Sequence, residues 1–116
     1  MAEEELRNEI IEFQNLQQQL QLIAMQKQQI QVQLQENEKA VEELGKMGEK
    51  AGTVYRLVGS VFIPKQIPAL KKELMEEKEA LELRKSGLLK QETKLNERFM
   101  GLRKKLEAAQ KSGAAI

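Results

Sequence analysis

The chain has 116 residues, of which 41% are hydrophobic, 32% charged and only 3% aromatic, and it contains no His, Cys or Trp. That balance is too apolar for a disordered tail and too poor in large rings for an ordinary packed globule, so one extended, mainly helical domain spanning 1–116 is expected. The missing His and Cys remove the commonest metal ligands, the thiol nucleophile and the usual neutral-pH proton carrier. Most enzyme classes fall on that ground, the carboxylate clusters at Glu42-Glu43 and Glu76-Glu77-Glu79 read as solvated helix faces, and no catalytic residue, metal site or cofactor is expected.

Nineteen Lys and Arg against eighteen Asp and Glu leave a net charge of +1, too little for a long-range field toward nucleic acid or an anionic membrane. The opening Met-Ala-Glu-Glu-Glu lacks the basic start and apolar core of a secretory signal. No apolar run approaches the roughly 18 residues that span a bilayer. A cytoplasmic location is expected, and the absence of disulfides agrees with a reducing compartment.

The first element is predicted over residues 1–45. Steps of three and four from Leu6 give Leu6, Glu9, Phe13, Leu16, Leu20, Ile23, Lys27, Ile30, Leu34, Asn37, Val41 and Leu44, nine of the twelve apolar. A heptad pattern sustained this long indicates a coiled-coil helix, about 60 Å long at 1.5 Å per residue. Half of residues 14–35 are Gln. Composition alone would suggest a disordered tract, but Gln is a good helix former and here falls mostly off the seam.

Residues 46–66 are read as a linker and a β-hairpin. Gly45, Gly48, Gly52, Gly59, Pro64 and Pro68 mark helix ends and turns. Between them, Thr53-Val-Tyr-Arg-Leu-Val-Gly-Ser-Val-Phe-Ile-Pro64 places two β-prone halves around Gly59-Ser60, a pair suited to a two-residue turn. With the turn there, Tyr55, Leu57 and Phe62 share one face, and Val54, Val58, Val61 and Ile63 share the other with Arg56. An isolated two-stranded hairpin is marginal in water, so this one is expected to bury its faces and edges against other hairpins.

The third element is a helix over 67–111, followed by a tail at 112–116. Ile67, Leu74, Leu81, Leu88, Leu95 and Leu102 recur every seven residues, with Ala109 closing the series. The companion positions Glu77, Arg84, Gln91 and Arg98 are polar, so a thin apolar band is expected, widened near its end by Phe99 and Leu106. Pro68 suits the first turn. Residues 1–45 hold nine acidic and three basic side chains, a net of −6, and residues 66–116 hold eight acidic and twelve basic, a net of +4. Acidic Glu3, Glu4, Glu5, Glu9 and Glu12 meet basic Arg98, Arg103, Lys104 and Lys105 if the two helices run antiparallel.

A Gln-rich heptad helix, one central hairpin and a Leu-heptad helix, with Val54-Tyr-Arg-Leu-Val-Gly-Ser-Val-Phe-Ile63 between them, resembles the prefoldin family over essentially the whole chain. The hairpin segment is similar to that of beta-class subunits; alpha-class subunits carry two hairpins, and the segment from Gly45 to Pro68 has room for one. The resemblance implies an ATP-independent holdase: a hexamer of two alpha-class and four beta-class subunits whose hairpins join in an oligomeric β-barrel. The long antiparallel two-helix coiled coils hold unfolded client proteins such as non-native actin or tubulin at their tips and pass them to a group II chaperonin.

Carried onto this chain, the client-binding tips comprise Leu6, Ile10, Ile11 and Phe13 on the first helix and Phe99, Met100, Leu102 and Leu106 on the second. Val54, Tyr55, Leu57, Val58, Gly59, Val61, Phe62 and Ile63 of the hairpin serve oligomerisation. Adjacent pairs such as Ile10-Ile11 and Phe99-Met100 support the tips independently, because one seam buries only one member of each pair well. The alternative reading is a structural coiled-coil scaffold or tether binding one defined helical partner.

Overall fold

The computed structural model describes residues 2–48 and 52–113, so part of the expected linker and the end of the tail lie outside the described residues. Helix α1 spans Glu3–Met47, strand β1 Thr53–Val58, strand β2 Val61–Gln66 and helix α2 Ile67–Lys111. Gly45 lies within α1 rather than ending it. The helix stops two residues later than predicted, where Gly48 takes a φ of 75°, the left-handed conformation that glycine adopts without steric cost at a helix end. Glu3, Glu4 and Glu5 occupy the first turn of α1, where negative charge complements the helix dipole. Pro68 is the second residue of α2 and sacrifices no intrahelical hydrogen bond there. Among the described residues no helix is long and apolar enough to cross a membrane.

The chain divides into two compact units, Met1–Gln28 with Ser86–Ile116, and Gln29–Lys85. In the first, Leu6, Leu16 and Ile23 of α1 and Leu102 of α2 are buried, each position contributing about 1.5–3 kcal/mol if fully removed from water. Phe13 stacks on Phe99 with ring centroids 4.5 Å apart and planes 14° apart. In the second unit, Leu44, Ile67, Leu70 and Leu74 form a buried cluster, against which Ala40 and Val54 pack.

The predicted α1 stripe matches the buried one closely, except that Val41 is exposed and Ala40 takes its place. On α2 the leucine series holds, but its companions differ from the prediction. Leu70 is buried, and beyond Leu81 the half-buried companions are Lys85, Glu92, Phe99 and Leu106, while Arg84, Gln91 and Arg98 are exposed. The cause is a local change of step. From Leu74 through Glu77 and Leu81 to Lys85 the stripe advances by three, four and four, so later companions sit four residues after each Leu rather than three.

The three polar side chains on the α1 seam each meet a partner from α2. Within the first unit, Lys105 Nζ lies 2.9 Å from Glu9 Oε1, and Lys27 Nζ lies 3.0 and 3.1 Å from the two Glu92 oxygens. Within the second, Asn37 Nδ2 donates to the Leu74 carbonyl at 2.8 Å, while Asn37 Oδ1 is buried without a protein partner. Such a polar seam residue costs stability and specifies register.

Replacing Asn37 by Leu removes donor and orphan acceptor together, so stability is expected to stay within about 1 kcal/mol of wild type. Asn37→Asp buries a carboxylate facing a carbonyl oxygen and is expected to cost about 3 kcal/mol or more at neutral pH. Urea denaturation followed by circular dichroism distinguishes the two.

Candidate functional site

The hairpin turn is set by Gly59, whose φ is 62°. Ser60 does not have a positive φ, and this combination is that of a type II′ turn, whose twist matches the flanking strands. The strands pair antiparallel, with Val58 opposite Val61, Leu57 opposite Phe62, Arg56 opposite Ile63, Tyr55 opposite Pro64, Val54 opposite Lys65 and Thr53 opposite Gln66. Residues directly opposite share a face, so Tyr55, Leu57, Phe62 and Pro64 form one face and Val54, Arg56, Val58, Val61, Ile63 and Lys65 the other. The strand β2 continues through Pro64 to Gln66, the last residue of the segment read as linker and hairpin.

One face is attached to α2. Val54 packs on the buried cluster. The Arg56 guanidinium lies 2.7 Å from Glu77 Oε1 and 3.2 Å from Glu73 Oε2, and Lys65 Nζ lies 3.4 Å from Glu73 Oε1. Both strands are thus clipped to carboxylates one helical turn apart. Partial burial works against the charge on Arg56, but hydrogen bonds and attraction from Glu77 and Glu73 outweigh it and raise its pKa above the usual arginine value. Desolvation likewise opposes ionisation of Glu73, yet its hydrogen bond to Arg56 and the charge of Lys65 hold its carboxyl below the ordinary range. Solvent screens pairs as exposed as these, so their main effect is on the orientation of the hairpin.

The opposite face is left bare: Tyr55 is 65% exposed, Phe62 66% and Leu57 58%. Contiguous apolar surface of this kind marks an interaction site. Val58, Val61 and Ile63 are exposed as well, and Val54 is the half-buried member of the predicted oligomerisation set. Beside β1 lies a groove of about 660 Å³, with Ala40, Leu70, Leu74 and Leu81 on the helices and Tyr55, Arg56 and Leu57 on the strand.

The predicted tip residues lie in the other unit and separate by burial. Leu6 and Leu102 are buried in the seam, Phe13 and Phe99 are half-buried and stacked on each other, and Ile10 and Leu106 are half-buried. Ile11 and Met100 are 54% and 41% exposed, so the surplus apolar surface expected from the adjacent pairs falls on these two. Arg98 makes two hydrogen bonds to Glu12, at 2.7 and 2.9 Å, which pull the Glu12 carboxyl below its usual range and raise the pKa of Arg98. Arg103 departs from the expected cross-helix pairing and bonds Glu107 on its own helix at 3.1 Å, because a partner four residues along needs no tertiary contact. The Met25, Met47, Met75 and Met100 side chains all lie on the surface.

Sequence reasoning missed Lys65, Glu73 and the attachment role of Glu77. The available signal was a pair of glutamates four residues apart at the start of α2, following two basic residues that alternate onto one hairpin face.

The prefoldin subunit family model matches residues 7–113. Among solved structures, the chain is similar to the prefoldin beta subunit from Thermococcus strain KS-1, with 33% identity, a TM-score of 0.78, and coverage of 90% of this chain and 91% of that one. No curated protein matches it.

Because the carboxyl of Glu73 in the folded chain lies below its unfolded value of about 4.3, the folded state resists protonation there. Its contribution is complete above that value and fades as pH falls through the folded one. Relative to helix amides at the same pH, hairpin amides are expected to lose protection as the solution is acidified below the ordinary glutamate range. The double variant Glu73→Gln, Glu77→Gln is expected to show that loss already at neutral pH. Equal protection in variant and wild type would show that the charges do not hold the hairpin.

Proposed function

The chain belongs to the prefoldin subunit family, and from that premise we propose that it is the beta-class subunit of a non-enzymatic, ATP-independent holdase. Its hairpin joins those of alpha-class subunits and further beta-class copies in a cytoplasmic hexamer. The assembled coils capture unfolded client proteins and deliver them to a group II chaperonin. The observation that supports this reading most is the hairpin itself: Tyr55, Leu57 and Phe62 are more than half exposed on one face, while the other face is fastened by Val54, Arg56 and Lys65. A hairpin fastened on one side and bare on the other is suited to assembly.

Client contact is assigned to the tip set, chiefly Ile11 and Met100, with Ile10, Phe13, Phe99 and Leu106 at the margins and Leu6 and Leu102 as the seam beneath them. A soft Met thioether and an aliphatic side chain left over from the seam fit weak contacts with many different unfolded segments.

Leu57→Asp with Phe62→Asp is expected to abolish hexamer formation with an alpha-class subunit, read by native mass spectrometry, while the helical circular-dichroism signal persists. Ile11→Ser, Met100→Ser and Leu106→Ser together are expected to leave the hexamer intact and to lower suppression of aggregation for several unrelated denatured proteins without ATP. Each such contact is worth about 1–3 kcal/mol when fully buried and less when shared, so the triple variant is the informative one. Full activity in the triple variant would move the client site away from the tips. Failure of the wild-type hexamer to protect any client would favour a scaffold binding one defined partner.

A further inference from the structure

The glutamine-rich stretch of α1 has no part in the hairpin. From Phe13 to Gln26 it holds no charged residue, the longest such run in the chain. The charges that close the run are engaged with α2, Glu12 with Arg98 and Lys27 with Glu92. At about 100° per residue, Gln18 and Met25 lie roughly 200° round the helix from Leu16 and Ile23, two positions earlier, which are buried in the seam. With Ile11, Gln14 and Leu22 they form a face opposite that seam. Gln14 and Gln18 are exposed on it, and Leu22 and Met25, at 58% and 62%, are barer than Met100 at 41%. The solvent side of a helix ordinarily carries charge; this side carries only amides and apolar groups.

Such a face holds nothing that repels its own copy. Its spacing adds a symmetry, because Ile11 and Met25 stand seven residues either side of Gln18, and Gln14 and Leu22 four either side. Two copies turned end for end about Gln18 therefore bring Ile11 against Met25 at both ends, Gln14 against Leu22 inside them, and Gln18 against Gln18 at the centre. An amide both donates and accepts, so the central pair satisfies itself. A parallel arrangement instead lines up the acidic first turns, with Glu3 and Glu4 beside their own copies, and like charges oppose it.

From this symmetry we propose that the outer face of α1 between Ile11 and Met25 is a contact for a second copy of this chain, antiparallel and two-fold about Gln18. Each copy then uses the same patch, as a two-fold contact requires. The contact is separate from the hairpin and does not depend on it. A face about 22 Å long buries much less than the roughly 1,600 Å² of a standard interface, so a single pair of coils associates weakly. Assemblies that present several coils gain by avidity. Ile11 also belongs to the surface assigned above to clients, and on that reading pairing withholds it from them.

The chain has no cysteine, so an introduced thiol reports its own neighbour. The test uses full-length chains carrying Leu57→Asp and Phe62→Asp, which removes association through the hairpin. On mild oxidation, Gln18→Cys is expected to form disulfide-linked dimers several-fold faster than Leu22→Cys on the same face or Gln91→Cys, an exposed position on α2. Ile11→Cys and Met25→Cys chains are expected to link to each other when mixed and little to themselves. Adding Leu22→Glu is expected to slow the Gln18→Cys reaction to the Gln91→Cys rate with the helical circular-dichroism signal unchanged. Fastest self-linking at Leu22→Cys would overturn the antiparallel register, and equal rates at all three positions would overturn the contact. If Gln18→Cys chains stay unlinked while Leu22→Glu lowers protection of a denatured protein by an intact hexamer, the face belongs to clients and the proposal fails. Should the hairpin variant lose its helical signal, the same cysteines placed in the wild-type hairpin decide the matter.

Discussion

Bonds between α1 and α2 residues far apart in sequence set where every other part of each unit falls. Aliphatic side chains in a seam tolerate slippage by a turn, because Leu against Leu is much the same one heptad along. A carboxylate, an ammonium or an amide does not tolerate it. Glu9 with Lys105 and Lys27 with Glu92 fix the pairing in one unit, and Asn37 with the Leu74 carbonyl fixes it in the other. The cluster of Leu44, Ile67, Leu70 and Leu74 forms only in that second register, and the hairpin is seated on it through Val54.

Charge and apolar contact divide the work. The ion pairs on the hairpin contribute little free energy individually, but they act at two strands and one helix and so decide which face is turned to solvent. Burial supplies the stability, at Ile30, Ile67 and Leu102 above all. The exposed large apolar groups lie closest together on the hairpin, which holds six of them, while ten more are spread along the two helices. Asn37 shows the cost of this order: its Oδ1 is shielded from solvent with no protein donor, a penalty that an aliphatic residue would avoid while specifying less.

Much of the fold was legible because its periodicities are long. The α1 heptad continued through Glu9, Lys27 and Asn37 without breaking, and the turn was marked by Gly59, the residue type that a positive φ demands. The face assignments of Tyr55, Leu57 and Phe62 followed from that turn alone. The companions of the α2 leucines were misjudged because positions three and four residues along a helix are only about 100° apart, and burial, not composition, decides between them. Lys85 and Glu92 are half-buried by their stems in spite of their charge. The attachment of Arg56 and Lys65 was missed although the residue types were visible, because which glutamates they reach depends on the angle at which β2 runs into α2. Within the residues proposed for client contact, separating exposed Ile11 and Met100 from buried Leu6 and Leu102 needed coordinates.

The surface position of the methionines bears on chemistry of another kind. Met25, Met47, Met75 and Met100 are exposed, and the buried positions among the described residues are filled by Leu, Ile and one Asn. With no cysteine in the chain, the thioethers are the side chains most open to mild oxidation. Conversion to the sulfoxide turns a soft apolar group into a polar one and is enzymatically reversible. Oxidation therefore alters the stickiness of the surface while leaving the seam untouched, and the chain can lose and regain that property without unfolding.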